Sequence, residues 1–140
     1  MATLNAVEAT PEQIERFLAG HADGEPVFML NLLKFKRDAT YRDGEAMSGA
    51  DAYARYAQAF GDMLRDHDIE GVKTVFGGRV QDFLIGTGEG EWDAVALVRY
   101  PDRKAMFAAV SNDTYRSFHY HRKAGLEGQL LIACDGSGVF

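Results

Sequence analysis

Two residues near the C-terminus could carry a charge or move a proton, and their spacing predicts that they share a buried helix face. Four residues spaced by three, one and three positions fall on that face: Tyr115, Phe118, His119 and Arg122. An unpaired buried charge is unfavourable, so Arg122 either forms an internal ion pair, for instance with Asp93, or binds an anionic ligand group. His119 is either a hydrogen-bonded core residue or a general acid or base, because the pKa of a free histidine is about 6.5.

An amide interrupts the apolar stretch around which the rest of the chain must pack. Residues 27–35 read VFMLNLLKF, with seven apolar side chains among nine. Apolar residues occur at both parities, so both faces of this strand leave water and the strand is central to its sheet. Asn31 shares a face with Met29 and Leu33 and needs hydrogen-bond partners there. Two roles stay open: Asn31 fixes neighbouring backbone, or it lines a cavity and orients a ligand.

Two tyrosines and a tryptophan are further candidates for lining a cavity. Ser48 predicts the start of a long helix. The apolar stripe of that helix recurs at helical spacing: Tyr53, Tyr56, Ala57, Phe60, Met63 and Leu64. The stripe predicts packing on the sheet, while the phenol groups of Tyr53 and Tyr56 need polar partners near the first turns. Trp92 flanks a hairpin and belongs either to a pocket rim or to an interface.

The other reactive side chains predict no metal site and no cofactor site. His119 and His121 are two residues apart and diverge on a helix, so both cannot reach one ion. Cys134 stands late in an apolar strand, where a small core residue is expected rather than a nucleophile. The GTGEG sequence at 86–90 matches neither the dinucleotide fingerprint nor the phosphate-binding loop. His21 lies in a polar turn and has no predicted role.

The order of the predicted elements indicates an α+β fold of the ferredoxin-like type. Besides the central strand and the long helix, the chain predicts a helix over about 11–19 that Thr10 caps and Gly20 ends, a short helix capped by Asp102, and a helix over about 114–123. It also predicts strands over 72–80, 92–100 and 129–134. Gly77–Gly78 in the first of these marks either a bulge or a close backbone approach, and a bulge would bend the strand into a continuation over 82–85. Without the first helix, this is a β-α-β-β-α-β order, an antiparallel sheet with helices on one side. The length fits a single domain over residues 1–140.

Composition narrows the choice of partners. Lys and Arg number 15 against 21 Asp and Glu, and the resulting net charge of −6 argues against nucleic acid. The single cysteine can form no internal disulfide. The N-terminus lacks the basic and apolar regions typical of a signal peptide, and no apolar run approaches the roughly 20 residues that span a bilayer. We therefore expect a cytoplasmic protein with neither a membrane nor a nucleic-acid partner.

Four stretches together resemble the uncharacterised family known as domain of unknown function 1330 (DUF1330). They are FMLNLLKF at 28–35, AYARY at 52–56, EWDAVALVRYPDR at 91–103 and YRSFHYHRKAGL at 115–126, and the likeness covers most of the chain from Pro26 onward. The resemblance implies a dimeric α/β barrel, in which two ferredoxin-like sheets meet face to face around a cavity. A second copy of the chain would then cover the face of the central strand that the helices leave open.

The resemblance also sets the expectations about function. The barrel class includes cofactor-independent monooxygenases, lactone isomerases and haem-handling enzymes, so it selects no single chemistry. Five residues match polar positions of the family pattern: Asn31, Tyr53, Tyr56, His119 and Arg122. We expect a homodimer without a cofactor, whose inter-sheet cavity binds a small organic acid or aromatic compound. Asn31 and Arg122 would orient that molecule, His119 would act as acid or base, and Trp92 and the tyrosines would line the cavity.

Three alternatives stay open beside this expectation. The first is a non-catalytic ligand-binding or regulatory module with the same cavity. The second is a packed dimer core that contains no cavity. The third is haem binding through His119, which is the one histidine predicted on an apolar face.

Overall fold

The chain folds into a four-stranded antiparallel sheet whose helices cover one of its two faces. The computed structural model describes residues 6–19, 24–88 and 90–138. Its elements in chain order are α1 (Pro11–Leu18), β1 (Val27–Phe35), α2 (Gly49–Asp66), β2 (Lys73–Arg79), β3 (Ala94–Tyr100), α3 (Arg103–Ala109), α4 (Asp113–Phe118), α5 (Tyr120–Gly125) and β4 (Leu126–Cys134). The strands pair in the order β2-β3-β1-β4, which confirms the predicted antiparallel α+β architecture. None of the described helices is long and apolar enough to cross a bilayer.

Strand β1 has the two apolar faces that its sequence predicts. Val27, Met29 and Leu33 are buried, and Val27 and Met29 belong to the core that the helices close. The alternate residues of β1 point to the opposite side of the sheet. We call this side the open sheet face, and its apolar side chains come from all four strands: Phe28, Leu30, Leu32, Phe76, Val95, Leu97, Leu130 and Ile132. Its two edges are the most accessible part, with Phe76 59% and Ile132 43% exposed.

Local capping signals start the first two helices as predicted. Thr10 and Gln13 form a complete capping box, in which each side chain accepts a hydrogen bond from the other residue's backbone N–H. Ser48 accepts a hydrogen bond of 3.0 Å from the backbone N–H of Asp51. The predicted helix end at Gly20, and His21 beside it, lie outside the described residues.

Helices α2 and α5 cross at two glycines. A Cβ atom added to Gly125 would collide with the backbone carbonyl of Gly49, and one added to Gly49 would collide with backbone atoms of Lys36. Only glycine therefore allows the two helices to approach this closely. The approach brings α5 and its Arg122 against the first turns of α2, where Tyr53 lies.

The second strand departs from the prediction in two ways. The register irregularity lies between Thr74 and Phe76, so the predicted bulge at Gly77–Gly78 is wrong. Gly78 instead makes room for a ring, because a Cβ there would lie 3.2 Å from Phe76. The predicted continuation over 82–85 is also wrong, since regular pairing with β3 ends with the bond from Val80 N–H to the Asp93 carbonyl.

The C-terminal elements also differ from the prediction. The helix predicted over about 114–123 is two helices, α4 and α5, and His119 stands between them. Asn112 caps α4, because its Oδ1 accepts a 2.8 Å hydrogen bond from the Tyr115 N–H. The last strand begins at Leu126 rather than at Gln129, and Leu126 pairs with Phe35 beyond a register shift.

Candidate functional site

A glutamine joins Arg122 to Asn31. Arg122 Nη2 donates a hydrogen bond of 2.5 Å to Gln129 Oε1, and Gln129 Nε2 donates one of 2.8 Å to Asn31 Oδ1. Asn31 Nδ2 in turn donates to the carbonyls of Met29 at 3.2 Å and Ala96 at 3.3 Å. We call this chain of side chains the Arg122–Gln129–Asn31 relay. The Asn31 amide thus fixes neighbouring backbone and positions Gln129, which is the first of the two roles left open for this residue.

The relay lies on the helix-covered side of the sheet. Asn31 has the parity of Met29 and Leu33, and its partners across the strands are Ala96 and Leu131. The expectation that Asn31 and Arg122 line a chamber between two sheets is therefore wrong. Successive strand residues face opposite sides, so a chamber on the open sheet face would be lined by the apolar residues of the other parity.

The guanidinium of Arg122 is half-buried, and its ion pair with Asp93 is not formed. Asp93 Oδ2 instead accepts a 2.7 Å hydrogen bond from the Phe35 N–H at the end of β1. Among the described residues, Arg122 forms a hydrogen bond to a neutral amide and no ion pair with a carboxylate. A guanidinium has five N–H groups, so Arg122 has further donors that can bind an acceptor from outside the relay.

Gln129 is the functional residue that the sequence reasoning missed. Gln129 is a buried polar residue, with 8% of its surface exposed, and its side chain accepts the hydrogen bond from the Arg122 guanidinium. The signal was present, since a polar residue opposite Leu33 at the start of an apolar strand needs a partner. Its partners lie 7 and 98 residues away, which spacing alone does not reveal.

Buried phenols form the wall beside Arg122. The Tyr56 and Tyr115 hydroxyls are hydrogen-bonded at 2.9 Å, and the rings of Tyr53 and Tyr56 lie 5.3 Å apart. Burial raises the pKa of Tyr53 to about 12, although the nearby Arg122 charge opposes the shift. Burial also raises the pKa of Tyr56 far above its ordinary value, with Tyr115 as the next cause and Arg122 again in opposition. Both phenols are therefore neutral at pH 7, and Tyr53 and Tyr56 lie where the sequence places them, near the first turns of α2.

His119 lies apart from the relay. Its ring stacks on Tyr115 with centroids 5.9 Å apart, and its Nδ1 lies 3.4 Å from the Arg116 carbonyl oxygen. His121 points elsewhere, as predicted, and its Nδ1 is 2.7 Å from the Tyr41 hydroxyl. One face of the His119 ring is thus covered by an aromatic neighbour, and neither of its described contacts belongs to the relay.

The N-terminal segment carries a carboxylate to this end of the molecule. Glu8 forms an ion pair of 2.8 Å with Lys123, and the Ala6 carbonyl accepts a 2.8 Å hydrogen bond from the Gln129 N–H. The hydrogen bond from Lys123 lowers the pKa of Glu8, and the charges of Arg122 and His119 lower it further. The carboxylate of Glu8 thus faces the positive charges at the end of α5.

Trp92 and two cavities of the described chain lie elsewhere. Trp92 is half-buried in the turn before β3, and within the described residues no hydrogen bond or ring contact connects it to the relay. One cavity, of about 360 Å³, lies beside the loop of residues 38–47. The other, of about 220 Å³, lies between Pro26, Arg103 and Cys134. In the part of the chain that the structure describes, no group of three His, Cys, Asp or Glu side chains could hold a metal ion.

Comparison with solved structures identifies a relative of nearly the same length. The crystal structure of methylated RPA0582 protein has 30% sequence identity and a TM-score of 0.86, over 98% of this chain and 98% of that one. A second crystal structure of this protein of unknown function, from Rhodopseudomonas palustris, has 30% identity and a TM-score of 0.82, over 94% and 96% of the two chains. The chain belongs to the RPA0582 family. No family model matches the sequence, and no curated protein matches it.

More distant structures share the fold of this RPA0582 family member. A dimeric protein of unknown function with a ferredoxin-like fold, from Bacteroides fragilis, has a TM-score of 0.51 at 7% identity, over 79% of this chain and 95% of that one. A dabb family protein with a ferredoxin-like fold, from Mesorhizobium loti, has a TM-score of 0.51 at 14% identity, over 81% and 99%. These matches confirm the predicted ferredoxin-like fold.

Proposed function

We propose that this protein is a homodimer that binds a small organic acid, aromatic or not, at Arg122 on the helix-covered side of each sheet. The proposal narrows the ligand class inferred from the sequence, a small organic acid or aromatic compound, to acids, and it moves the site away from the sheet-to-sheet interface. We further propose that the RPA0582 family and the DUF1330 family are one, on the strength of the four resembling stretches in the sequence.

The observation that carries the binding proposal is the environment of Arg122. An arginine that is half-buried and bonded to a neutral amide retains a full charge and spare donors. The buried phenols of Tyr53 and Tyr56 stand beside it, so an apolar wall and a fixed cation meet at one place. This combination suits a carboxylate attached to an apolar or aromatic body, because guanidinium groups bind carboxylates with two parallel hydrogen bonds.

The dimer proposal rests on the open sheet face. An exposed apolar surface drawn from four strands is unfavourable in water and marks an interaction site. The ferredoxin-like protein from Bacteroides fragilis is described as dimeric, which supports the same arrangement here. Two copies joined through this face would cover eight apolar side chains on each protomer.

Whether turnover follows binding depends on His119, the acid or base candidate. In the enzyme alternative, a change at His119 lowers kcat while ligand affinity stays near its original value. In the binding-module alternative, no turnover exists to be lost, and changes at Arg122 or His119 alter ligand affinity alone. The stacking of His119 on Tyr115, away from the relay, favours the binding module over the enzyme alternative.

A thermal-shift experiment with matched ligands tests the binding proposal. The probes are benzoate and its neutral analogue benzamide, each at about 10 mM. The assay detects binding because a ligand that binds only the folded state raises the stability of that state. We expect benzoate to raise the melting temperature of the wild-type protein and benzamide to leave it unchanged. Arg122→Gln should abolish the benzoate shift.

Arg116 provides the control for charge alone. It lies on the neighbouring helix α4, is largely exposed and pairs with Asp113 at 2.7 Å. Arg116→Gln removes the same charge as Arg122→Gln and should retain the full benzoate shift. Equal shifts with benzoate and benzamide, or equal losses in the two variants, would contradict binding at Arg122 and favour the packed core without a cavity.

A further inference from the structure

The connection between β2 and β3 carries two aliphatic side chains in full contact with water. We call residues 80–88 the β2–β3 arm. Leu84 is 97% exposed and Ile85 is 89% exposed, the highest values among the large apolar residues of the described chain. Isolated exposed apolar residues are common, but two adjacent aliphatic residues at the tip of a projecting arm are not explained by the fold of one chain.

The arm has internal structure that holds these side chains outward. The ring of Phe83 packs against Gly88, where an added Cβ would lie 3.1 Å from the ring. Gly86 has a φ of +91°, a left-handed conformation that favours glycine and turns the chain directly after Ile85. The arm therefore presents Leu84 and Ile85 at its turn rather than folding them onto its own sheet.

The surface next to the arm has the same character. Strand β2 is exposed along its whole length, and Val75 and Phe76 expose 48% and 59% of their surface. Phe76 pairs across the strands with Leu97, which belongs to the open sheet face. The apolar surface thus continues from the open sheet face over the β2 edge, and the arm follows β2 directly in the chain.

The composition of the arm selects the class of partner. Residues 80–88 contain one acidic residue, Asp82, and no Lys or Arg, and the whole chain has a net charge of −6. Loop tips that enter membrane surfaces rely on basic residues for attraction to anionic lipids, which this arm lacks. A protein surface is the remaining apolar partner, and the matching surface within this protein is the open sheet face of a second copy.

We propose that Leu84 and Ile85 of each protomer dock on the second copy of this chain, at the margin of the sheet-to-sheet interface. This inference rests on the proposed homodimer and specifies its outer contacts. In a two-fold dimer each arm contact occurs twice, so four aliphatic side chains leave water together. The arm then explains why the chain retains a projecting apolar turn instead of a short polar hairpin.

Sedimentation velocity over a range of protein concentrations tests the arm with three variants. The double variant Leu84→Asp/Ile85→Asp should raise the dimer dissociation constant at least about tenfold, because it places charge in a contact that excludes water. Leu97→Asp should dissociate the dimer through the sheet face itself. Thr87→Asp adds a charge at an exposed position of the same arm and should leave the dissociation constant unchanged.

The outcomes separate the arm from the dimer. If Leu97→Asp dissociates the dimer while the double arm variant behaves like Thr87→Asp, the arm inference is overturned and the sheet-to-sheet dimer stands. A wild-type protein that sediments as a monomer at all concentrations overturns both. A membrane surface would replace the second copy as the partner if two results came together: only the wild type binds phosphatidylcholine–phosphatidylglycerol vesicles, and the double variant has an unchanged dimer dissociation constant. That outcome would also overturn the arm inference.

Discussion

Replacing Gln129 with leucine removes the centre of the Arg122–Gln129–Asn31 relay while leaving the volume of the site almost unchanged. The hydrogen bond from Arg122, at 2.5 Å, is lost, and a bond to a charged group contributes about 1.5–3 kcal/mol. Asn31 Oδ1 also loses its donor, and an unsatisfied buried acceptor costs about 1–3 kcal/mol. The added apolar burial of leucine offsets part of this loss, so we expect Gln129→Leu to lower the free energy of unfolding by about 2–3 kcal/mol.

A double-mutant cycle with Arg122→Met tests whether the relay acts as one unit. Arg122→Met leaves Gln129 Oε1 without its donor, so we expect it to cost about 1–2 kcal/mol. Once Gln129 is leucine that acceptor no longer exists, so the double variant should cost about 1–2 kcal/mol less than the sum of the single variants. Urea unfolding followed by circular dichroism measures each value, at one fixed protein concentration because the proposed dimer would link stability to concentration.

Gln58→Leu is the matched control for this cycle. Gln58 is exposed on α2 and donates to Asp62 Oδ1 at 3.1 Å, so its loss should change the free energy of unfolding by less than about 0.5 kcal/mol. The reasoning is refuted if Gln129→Leu costs no more than Gln58→Leu. It is also refuted if the two relay substitutions add within about 0.5 kcal/mol, the behaviour expected of independent sites.

Two further predictions concern the helix crossing and the N-terminal ion pair. Gly125→Ala should lower the free energy of unfolding by at least about 2 kcal/mol, because the added Cβ meets the Gly49 backbone. Gly61→Ala is the control: its Cβ enters open space, so this change should raise the free energy of unfolding by about 0.5–1 kcal/mol. Urea unfolding that gives the two variants similar stabilities would contradict the close crossing. The pKa of Glu8 is lowered in the folded state by Lys123, so its stabilising effect is present above the ordinary value of 4.5 and is lost as pH falls through the folded pKa. Wild type should exceed Glu8→Gln in thermal stability at pH 7, and the difference should shrink as the carboxylate becomes protonated at lower pH. A difference that does not change with pH would rule out the ion pair as its source.

Signals confined to a few neighbouring residues were read correctly from the sequence. The capping box at Thr10, the cap at Ser48 and the two apolar faces of β1 each depend on side chains within one turn or one strand. Backbone hydrogen-bonding geometry and side-chain alternation determine such features almost irrespective of the rest of the fold. The antiparallel α+β architecture followed from the order of these elements.

Features that depend on distant parts of the chain were not accessible in the same way. The relay connects Asn31 to Gln129 across 98 positions, and the helix-covered location of Asn31 becomes clear only from the strand register. The sequence favoured Asp93 as the partner of Arg122, but the backbone of Phe35 engages that carboxylate instead. Competition among several donors for one acceptor is decided by tertiary geometry, which residue spacing does not encode.

The β2–β3 arm illustrates a different reason for failure. Alternating and apolar residues over 82–85 are typical of a strand, yet Leu84 and Ile85 project into water in the single chain. A pattern produced by contact with a second copy resembles one produced by burial within a fold. Residue spacing alone therefore does not separate a strand from an exposed segment that, as we propose, a second copy covers.

The most direct test of the central claim is an NMR titration that observes the arginine side chains. Arg122 Nε–H, assigned by its disappearance in Arg122→Lys, should shift progressively as benzoate is added and should not respond to benzamide. Arg116, exposed and paired with Asp113, serves as the internal reference and should stay unchanged. A titration in which Arg122 remains fixed, or moves no more than Arg116, would contradict an anion-binding site at the end of the relay.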